Sequence, residues 1–477
     1  MDCGCSSTRL VLLVVAMALL LDGLMFSSFV PIIPAILYSL KYPENSTDRP
    51  SLSNYTTSAP FQDSEAAITP TSGSSSRSRN PQQNQTSNSS CCQIDGELLR
   101  RENFEVGVLL GSKTATQLLT NPLVGPLTNR IGFHIPICTG FVIMFVASLM
   151  FAFAQSYALL LVARLLQGVG SSFSSVAGLG LLATVFLDDV KRGQAMGVAL
   201  GGLGLGVLCG GPFASVMYEF VGTNSPFLAL AALALLGGAL QFCILKPTKI
   251  SPESIKGTAF LTLLRDPYIL LAAGALCMAN MVMTVLETTL PIWMIMTMSA
   301  PQWKIGLFYV PGCLAYLIST NLFGKLGERI GRWLCAGLGM ILMGIIVCCI
   351  PLAKDFASLM GPSAGVGFFL GMAQVSVVTI LGHLVDIRHV SVYGSVYAIG
   401  DMAVCLAYTV GPLAGGALVP AVGFSNVQMI FGTILILFAP LCIFLRNPPT
   451  TENRALVDQE VPPGSSDVDK DHGVSTE

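Results

Sequence analysis

The stretch "GPLTNRIG" at residues 125–132 recurs as "GKLGERIG" at residues 324–331, 199 positions later. Two further matches have nearly the same offset: "GGPFAS" (210–215) with "VGPLAG" (410–415), and "FVG" ending at Gly222 with "AVG" ending at Gly423. A tight basic turn would explain the first match alone, and close helix packing through small residues would explain the second. Three matches at almost one offset predict two halves of parallel topology.

The composition is that of a protein with many membrane spans. Hydrophobic residues make up 52% of the 477 positions and charged residues only 11%, whereas soluble domains carry about 25% charged residues. The net charge of −2 argues against a nucleic-acid partner. Twelve apolar segments are each long enough to cross a bilayer, which takes about 20 residues. These segments are 10–38, 105–127, 135–154, 157–186, 193–218, 226–245, 269–298, 305–323, 333–352, 358–385, 391–419 and 427–446.

This pattern predicts an all-α membrane protein with twelve transmembrane helices. Two six-helix halves, 10–245 and 269–446, would be joined by a cytoplasmic linker at 246–268. Residues 1–9 would form a cytoplasmic N-terminus, and the acidic, polar residues 447–477 a disordered cytoplasmic tail. Basic residues cluster in the loops on one side of the predicted helices, which places both termini in the cytoplasm by the positive-inside rule.

Residues 41–104 form the one long predicted loop, which is rich in Ser, Thr, Asn and Pro. It holds all four N-x-Ser/Thr sequons that lack proline, at Asn45, Asn54, Asn84 and Asn88. We therefore expect a glycosylated loop that faces a lumen or the exterior. Most of the fourteen cysteines lie in apolar segments as packing residues, and no pair has metal-ligand spacing. No catalytic constellation or phosphate-binding loop is present, so neither an enzyme, a metal nor a cofactor is expected.

Five ionisable residues interrupt the apolar segments: Asp22, Lys113, Arg164, Glu287 and Asp401. Each charge costs about 2.5–3.5 kcal/mol at the bilayer centre, so these side chains must face one another or a water-filled cavity. Three carboxylates against two cations leave one negative charge, which suits a cationic substrate or protons in its place. The structural alternative is a buried ion pair that only locks two helices together, and it is strongest for Lys113 with Asp22 and for Arg164.

Longer stretches resemble the vesicular amine transporters of the major facilitator superfamily. The stretches are "SKTATQLLTNPLVGPLTNRIG" (112–132), "ARLLQGVGSSFSSVAG" (163–178), "LPIWM" (290–294) and "LVDIRHVSVYGSVYAI" (384–399). The resemblance covers nearly every predicted helix, and it is closer to the monoamine than to the acetylcholine members. It implies a monomeric antiporter that loads cytosolic monoamines into acidic secretory or synaptic vesicles. The proton gradient would drive it by alternating access, without a cofactor.

The resemblance also implies roles for individual residues. Asp22, Glu287 and Asp401 would handle amine and protons, with Lys113 in their charge network and Arg164 as a buried arginine of the fourth helix. The other implied residues are Asn280 and Tyr316 in the amine pocket, Tyr309 at a gating position and His389 in coupling. From the residues alone, helix packing is favoured over a pocket role for Tyr309, Tyr316, Asn280 and Trp293, and His389 could equally be a helix-end residue.

The chain departs from the family pattern at several positions. Gly23 stands where members carry an asparagine next to the helix-1 aspartate, Thr288 replaces a proline, and Leu435 and the segment around Gln374 lack acidic residues of the family. Ser299 replaces a cysteine that members join to the first lumenal loop, so Cys91 and Cys92 cannot form that bridge. These departures keep a second hypothesis open, a proton/organic-cation antiporter for drugs or polyamines. A non-transporting receptor or scaffold is the alternative from another class.

Overall fold

Twelve long helices make up the structure, a computed structural model that describes residues 3–41, 86–244, 260–298, 302–389 and 393–449. The first six helices are α1 (Cys3–Lys41), α2 (Thr86–Ile131), α3 (His134–Ala152), α4 (Tyr157–Val185), α5 (Asp189–Phe220) and α6 (Ser225–Ile244). The second six are α7 (Pro267–Met298), α8 (Gln302–Ile330), α9 (Arg332–Cys349), α10 (Phe356–Arg388), α11 (Tyr393–Val422) and α12 (Phe424–Phe438). Short helical turns lie at Phe260–Leu263, Ile350–Leu352 and Ala439–Leu445, and these ranges contain no strand.

In the described ranges, eleven of the twelve long helices are long and apolar enough to cross a membrane; α2 is the exception. Its buried polar residues include Lys113, Gln117 and Asn121, which recur every four positions and therefore lie on one helical face. Those polar side chains lower the hydropathy of α2 and turn inward. The confirmed fold class is thus an all-α membrane protein.

Helix pairing repeats between the two halves with a shift of six helices. In the first half, α1 packs on α5, α2 on α4, and α3 on both α4 and α6. In the second half, α7 packs on α11, α8 on α10, and α9 on both α10 and α12. The halves meet where α5 packs on α8 and where α2 packs on α11, which are equivalent contacts under the same shift.

The repeated sequence stretches end at backbone turns of the same kind. In the described part of the chain, the glycines with positive φ are Gly132 (82°), Gly331 (103°), Gly222 (135°) and Gly423 (84°). They form two pairs, at the ends of α2 and α8 and at the ends of α5 and α11. Only glycine adopts this conformation without strain, because a Cβ atom would crowd the backbone. The repeated sequence stretches therefore mark helix ends that are equivalent in the two halves.

The predicted lumenal loop 41–104 is too long. The structure starts α2 at Thr86, so residues 86–104 belong to a helix that was expected to begin near 105. The segment "ELLRRE" (97–102) has low hydropathy, so it was expected in the loop. It consists of good helix formers, which explains why the helix extends through it. Asn45, Asn54 and Asn84 lie outside the described residues, and Asn88 falls within the helical backbone of α2. In the predicted linker, Phe260–Leu263 forms a helical turn and α7 already begins at Pro267.

We call the side of the membrane on which α1 begins the N-terminal face. The halves touch closely here through glycines. A Cβ atom on Gly193 of α5 would lie 2.5 Å from the carbonyl oxygen of Gly324 in α8, and one on Gly125 of α2 would lie 2.7 Å from Cβ of Ala398 in α11. Toward the opposite face, no atom of the described residues lies within 4 Å of such a Cβ on Gly111, Gly306 or Gly416. The halves are thus closed against each other on the N-terminal face.

Ion pairs join the halves on the same face. Arg192 Nη1 of α5 lies 2.6 Å from Asp386 Oδ2 of α10, and Arg332 Nε of α9 lies 2.7 Å from Asp189 Oδ2 of α5. The Tyr393 hydroxyl also donates to Asp386, and its ring lies 5.9 Å from the Arg192 guanidinium. Each arginine therefore forms an ion pair with a carboxylate of the other half, and these ion pairs add to the glycine contacts.

Close packing within a half should distinguish two glycines of α10. A Cβ atom on Gly367 would collide with the Gly312 carbonyl of α8, whereas one on Gly361 meets nothing within 4 Å. We expect Gly367→Ala to destabilise the protein by about 1–3 kcal/mol through overpacking. Gly361→Ala should be neutral or stabilising by up to about 1 kcal/mol, since alanine is the better helix former. Thermal unfolding in detergent measures both, and equal melting temperatures would contradict this packing.

Candidate functional site

Asp22 and Lys113 form a buried ion pair in the first half. Lys113 Nζ lies 3.2 Å from Asp22 Oδ1 and 3.4 Å from Oδ2, and each residue is only 5% exposed. The Ser171 hydroxyl of α4 also donates to Asp22, and the Lys113 ammonium lies 5.5 Å from the Phe26 ring centre. Three helices, α1, α2 and α4, therefore converge on one carboxylate whose charge a lysine compensates.

Asp401 of α11 binds the other half through neutral donors. Its Oδ2 atom accepts hydrogen bonds from Gln117 Nε2 at 2.8 Å, Asn121 Nδ2 at 2.8 Å and Ser175 Oγ at 3.1 Å. The Ser172 hydroxyl in turn donates to Asn121 Oδ1 at 2.5 Å, which orients the amide. The structure thus brings Asp401 to α2 and α4 of the first half, where it forms a polar connection between the halves.

The polar face of α2 links the two carboxylates. Lys113 binds Asp22 from one turn of α2, and Gln117 and Asn121 bind Asp401 from the next two turns. A change at either carboxylate therefore acts on the same helical face. These two amides and the serines of α4 were not among the residues singled out from the sequence. The four-residue spacing of Lys113, Gln117 and Asn121, repeated in Ser171 and Ser175, is the signal that could have found them.

Glu287 of α7 differs from the other two carboxylates. Within the described part of the chain, no side chain donates a hydrogen bond to its carboxylate and no cation forms an ion pair with it. The Tyr309 hydroxyl of α8 donates to the backbone carbonyl of Glu287 at 3.2 Å, and Tyr408 and Cys313 lie within electrostatic range of the carboxylate. A carboxyl group without a protein cation beside it can receive a positively charged ligand.

The remaining pocket candidates contact other protein groups. Asn280 Nδ2 donates to the Leu276 carbonyl of its own helix at 2.8 Å, and the Tyr316 hydroxyl donates to Gln374 Oε1 at 3.2 Å. Trp293 stacks on Phe424 of α12, with ring centres 4.8 Å apart. The Trp293 contact favours its packing role, whereas the Tyr316 hydroxyl links α8 to α10.

Arg164 is completely buried in the first half. Its guanidinium lies 3.9 Å from the Phe29 ring centre, and Nη1 donates to Gln167 Oε1 at 2.7 Å. Phe29 belongs to an aromatic cluster with Phe151 and Phe227. Among the described residues, Nε and Nη2 of Arg164 have no hydrogen-bond partner, and no carboxylate lies within ion-pair distance. The sequence-based alternative of a locking ion pair is therefore wrong for Arg164, whereas an ion pair does hold Lys113.

His389 lies away from the three intramembrane carboxylates, at the C-terminal end of α10. Its Nε2 atom lies 2.9 Å from Asp266 Oδ2, the same oxygen to which Arg388 Nε donates at 2.7 Å. Burial by itself raises the pKa of Asp266, but hydrogen bonds from His389, Arg388 and the Tyr268 N–H outweigh it and hold this pKa at about 2. His389 is thus a helix-end residue in an ionic cluster on the N-terminal face.

Two positions that depart from the family pattern have a packing role. Gly23 faces α5, and a Cβ atom there would collide with the Leu203 carbonyl, so in this chain the position sets the α1–α5 distance and does not face the ion pair. Leu435 is fully buried among apolar residues of the second half. Ser299 lies outside the described residues, and Cys91 and Cys92 fall within the helical backbone of α2.

Comparison with known proteins agrees with this architecture. The Major Facilitator Superfamily profile matches residues 15–401 and 314–468. The chromaffin granule amine transporter of Rattus norvegicus is 52% identical, over 96% of this chain and 92% of that protein. The synaptic vesicular amine transporter of Homo sapiens is 51% identical, over 94% and 90%. The vesicular acetylcholine transporter of Torpedo marmorata is 34% identical, over 96% and 86%.

A solved structure shows the same fold at low sequence identity. The human organic anion transporter MFSD10 (TETRAN) superposes with a TM-score of 0.70, over 91% of this chain and 99% of that one, at 17% identity. At this identity the similarity shows the fold alone. The match agrees with the pairing of two six-helix halves in the structure.

The Asp22–Lys113 pair should show strong coupling. Lys113→Met leaves a buried carboxylate without its cation and should destabilise the protein by about 3–5 kcal/mol. The double variant Asp22→Asn/Lys113→Met removes both charges and should be more stable than Lys113→Met alone. Thermal unfolding in detergent measures both, with exposed Lys325→Met as the neutral control. Additive effects of the two single substitutions would contradict the pairing.

The Asp266 cluster predicts a pH-dependent stability. Its folded pKa of about 2 lies below the unfolded value of about 3.9, so the carboxylate stabilises the fold above pH 4 and loses this contribution as the pH falls toward 2. Asp266→Asn should therefore unfold at a lower temperature than the wild type at pH 7, and the difference should shrink below pH 4. Exposed Glu328→Gln is the control. A difference that stays constant between pH 7 and pH 2 would refute the assignment.

Proposed function

This chain belongs to the vesicular amine transporters of the Major Facilitator Superfamily, and from that premise we propose that it loads cytosolic monoamines into acidic vesicles in exchange for protons. It is a transporter of the vesicle membrane and not an enzyme. The proposed substrates are serotonin, dopamine, noradrenaline and histamine, which carry an ammonium group at neutral pH. The observation that carries the proposal is the Glu287 carboxylate, which has no compensating cation among the described residues.

Glu287 would bind the ammonium group of the amine. Lys113 already compensates Asp22, and Asp401 is held by amides, so Glu287 is the carboxylate available for a positively charged ligand. Tyr309 and Tyr408 lie near Glu287, and we propose that one of these aromatic rings adds a cation–π contact to the ammonium group. We propose Tyr316 and Asn280 as further residues of the amine pocket, and Arg164 as a buried cation that keeps a second ammonium group out.

Protons would act through Asp22 and Asp401. A proton on Asp22 removes the charge that attracts Lys113. A proton on Asp401 turns an acceptor into a donor, which weakens the bonds from Gln117 and Asn121 that cross between the halves. Loading of lumenal protons would thus loosen the contact on which the relative position of the halves depends. This connects proton binding to alternating access through the polar face of α2.

The proposed orientation places the N-terminal face, the linker 246–268 and the tail 447–477 in the cytoplasm. The sequons at Asn45, Asn54, Asn84 and Asn88 would then face the lumen, where glycosylation takes place. In this orientation the structure is closed toward the cytoplasm, as expected for the state that releases amine into the vesicle. The two halves, 10–245 and 269–446, would rock about their interface within a single monomer in the bilayer.

Uptake of labelled serotonin into acidified proteoliposomes tests the proposal. We expect accumulation that a protonophore abolishes. Glu287→Gln should raise the KM for the amine at least about tenfold, which corresponds to about 1.4 kcal/mol. Asp22→Asn and Asp401→Asn should stop accumulation driven by the gradient, whereas Glu328→Gln on an exposed helical face should transport normally.

Two results would contradict the proposal. Accumulation that ignores the protonophore would exclude proton coupling, and normal pumping by all three amide variants would exclude the carboxylates. A competition panel of monoamines, polyamines and bulky drug cations decides the substrate class. Stronger competition by polyamines or drugs than by every monoamine would replace monoamine loading with organic-cation antiport.

A further inference from the structure

The helical turn that carries Glu287 has a defect in its backbone hydrogen bonding. Pro291 lies inside α7. Proline has no N–H group, so the carbonyl four residues earlier loses its helical partner, and the proline ring pushes against that carbonyl. The carbonyl concerned is that of Glu287. A backbone acceptor without its donor therefore stands at the residue whose carboxylate is the proposed amine ligand.

A side chain from the neighbouring helix supplies the missing donor. The Tyr309 hydroxyl of α8 lies 3.2 Å from the Glu287 carbonyl oxygen and donates to it. This separation exceeds the 2.7–2.8 Å that is usual for hydroxyl donors, so a modest contribution is expected. A buried carbonyl without any partner would cost about 1–3 kcal/mol. The tyrosine hydroxyl thus restores a hydrogen bond that the sequence of α7 removes.

The threonines of α7 do not take over this task. Thr288 Oγ1 lies 3.0 Å from both the Thr284 and the Val285 carbonyl oxygens, and Thr289 Oγ1 donates to the Val285 carbonyl at 2.7 Å. These bonds all fall on the turn before Glu287. Back-bonding of this kind bends helices slightly and weakens them. In the part of α7 that the structure describes, this stretch is held to α11 through Thr284 and to α12 through Thr289, whereas Tyr309 is the hydrogen-bond contact from α8 and the one that reaches the Glu287 carbonyl.

Packing or gating would not require the tyrosine hydroxyl. The Tyr309 ring lies edge-on to the adjacent Phe308 ring, with centres 5.1 Å apart, a contact that phenylalanine would make equally well. The hydroxyl points to a backbone atom and not to another side chain. Its chemical role is therefore distinct from that of the ring.

We propose that Tyr309 is a positioning residue for the amine site. Its hydroxyl replaces the N–H group that Pro291 lacks, and it fixes the turn of α7 that carries Glu287. The Glu287 carboxylate is thereby held where the ammonium group binds. Because the contact is to the backbone carbonyl, the carboxylate oxygens stay available for the ligand. The transport readout of this inference rests on the proposed function, but the structural readout does not.

A double-mutant cycle between Tyr309 and Pro291 tests the inference. In the wild-type background, Tyr309→Phe should raise the KM for serotonin about fivefold, as expected for loss of a hydrogen bond of about 1 kcal/mol, with less than about a twofold change in maximal rate. Pro291→Ala restores the backbone N–H, so Tyr309→Phe should change KM little in that background. Tyr316→Phe is the matched control, because its hydroxyl bonds Gln374 and its effect should be equal in both backgrounds.

Hydrogen exchange of the purified protein tests the same idea without transport. Tyr309→Phe should speed amide exchange in peptides that cover residues 287–295 about fivefold, and this increase should vanish in the Pro291→Ala background. Tyr316→Phe should leave those peptides unchanged. This measurement remains decisive if Pro291→Ala transports poorly or if the wild type proves not to accumulate amines.

The contrary results are equally clear. An identical KM penalty for Tyr309→Phe in both backgrounds would mean that the hydroxyl contacts the substrate directly, and would overturn the inference. Unchanged exchange at residues 287–295 would overturn it as well. Absence of serotonin uptake by the wild type, together with the expected exchange pattern, would reject the proposed function and retain the role of Tyr309 in α7.

Discussion

The cost of placing a charge in a bilayer determines how the inner helices are arranged. Every ionisable side chain in a span needs a compensating charge, several hydrogen-bond donors or access to water. Asp22 meets this demand with Lys113 and Ser171, and Asp401 meets it with donors from α2 and α4. Because those donors lie in the first half and Asp401 in the second, the hydrogen bonds to this one carboxylate join the halves. Among the three carboxylates, Glu287 alone keeps the demand unmet by described protein groups.

The two halves are alike in backbone and unlike in chemistry. Helix pairings and positive-φ glycines repeat between them, so each half is built on the same plan. The cations Lys113 and Arg164 lie only in the first half, whereas the second half contributes two carboxylates to the interior. The repeat thus gives two halves with similar backbones. The differences between them place both cations on one side of the interface and two of the three carboxylates on the other. An amine carrier needs both properties.

The sequence predicted the twelve helices, the repeat and the five intramembrane charges, because hydropathy and local motifs report on them directly. It placed the start of α2 about 19 residues too late, since the helix extends beyond its apolar part. It did not find Gln117 and Asn121 as partners of Asp401. Neutral amides are common on helices, and which of them face a carboxylate depends on contacts between α2 and α11 that are distant in sequence. For Arg164 the sequence left an ion pair open, but the structure places an aromatic ring and an amide against its guanidinium. Those contacts also depend on tertiary packing.

The glycine crossings on the N-terminal face have a consequence for the compartment as a whole. Where Gly193 meets Gly324 and Gly125 meets Ala398, helix backbones touch with almost no side chain between them. Backbones this close leave no room for water between the helices at these two crossings. A proton-coupled antiporter must not let protons leak out of the vesicle while it releases its substrate. Glycine at these helix crossings therefore helps to seal the N-terminal face against the passage of water and protons.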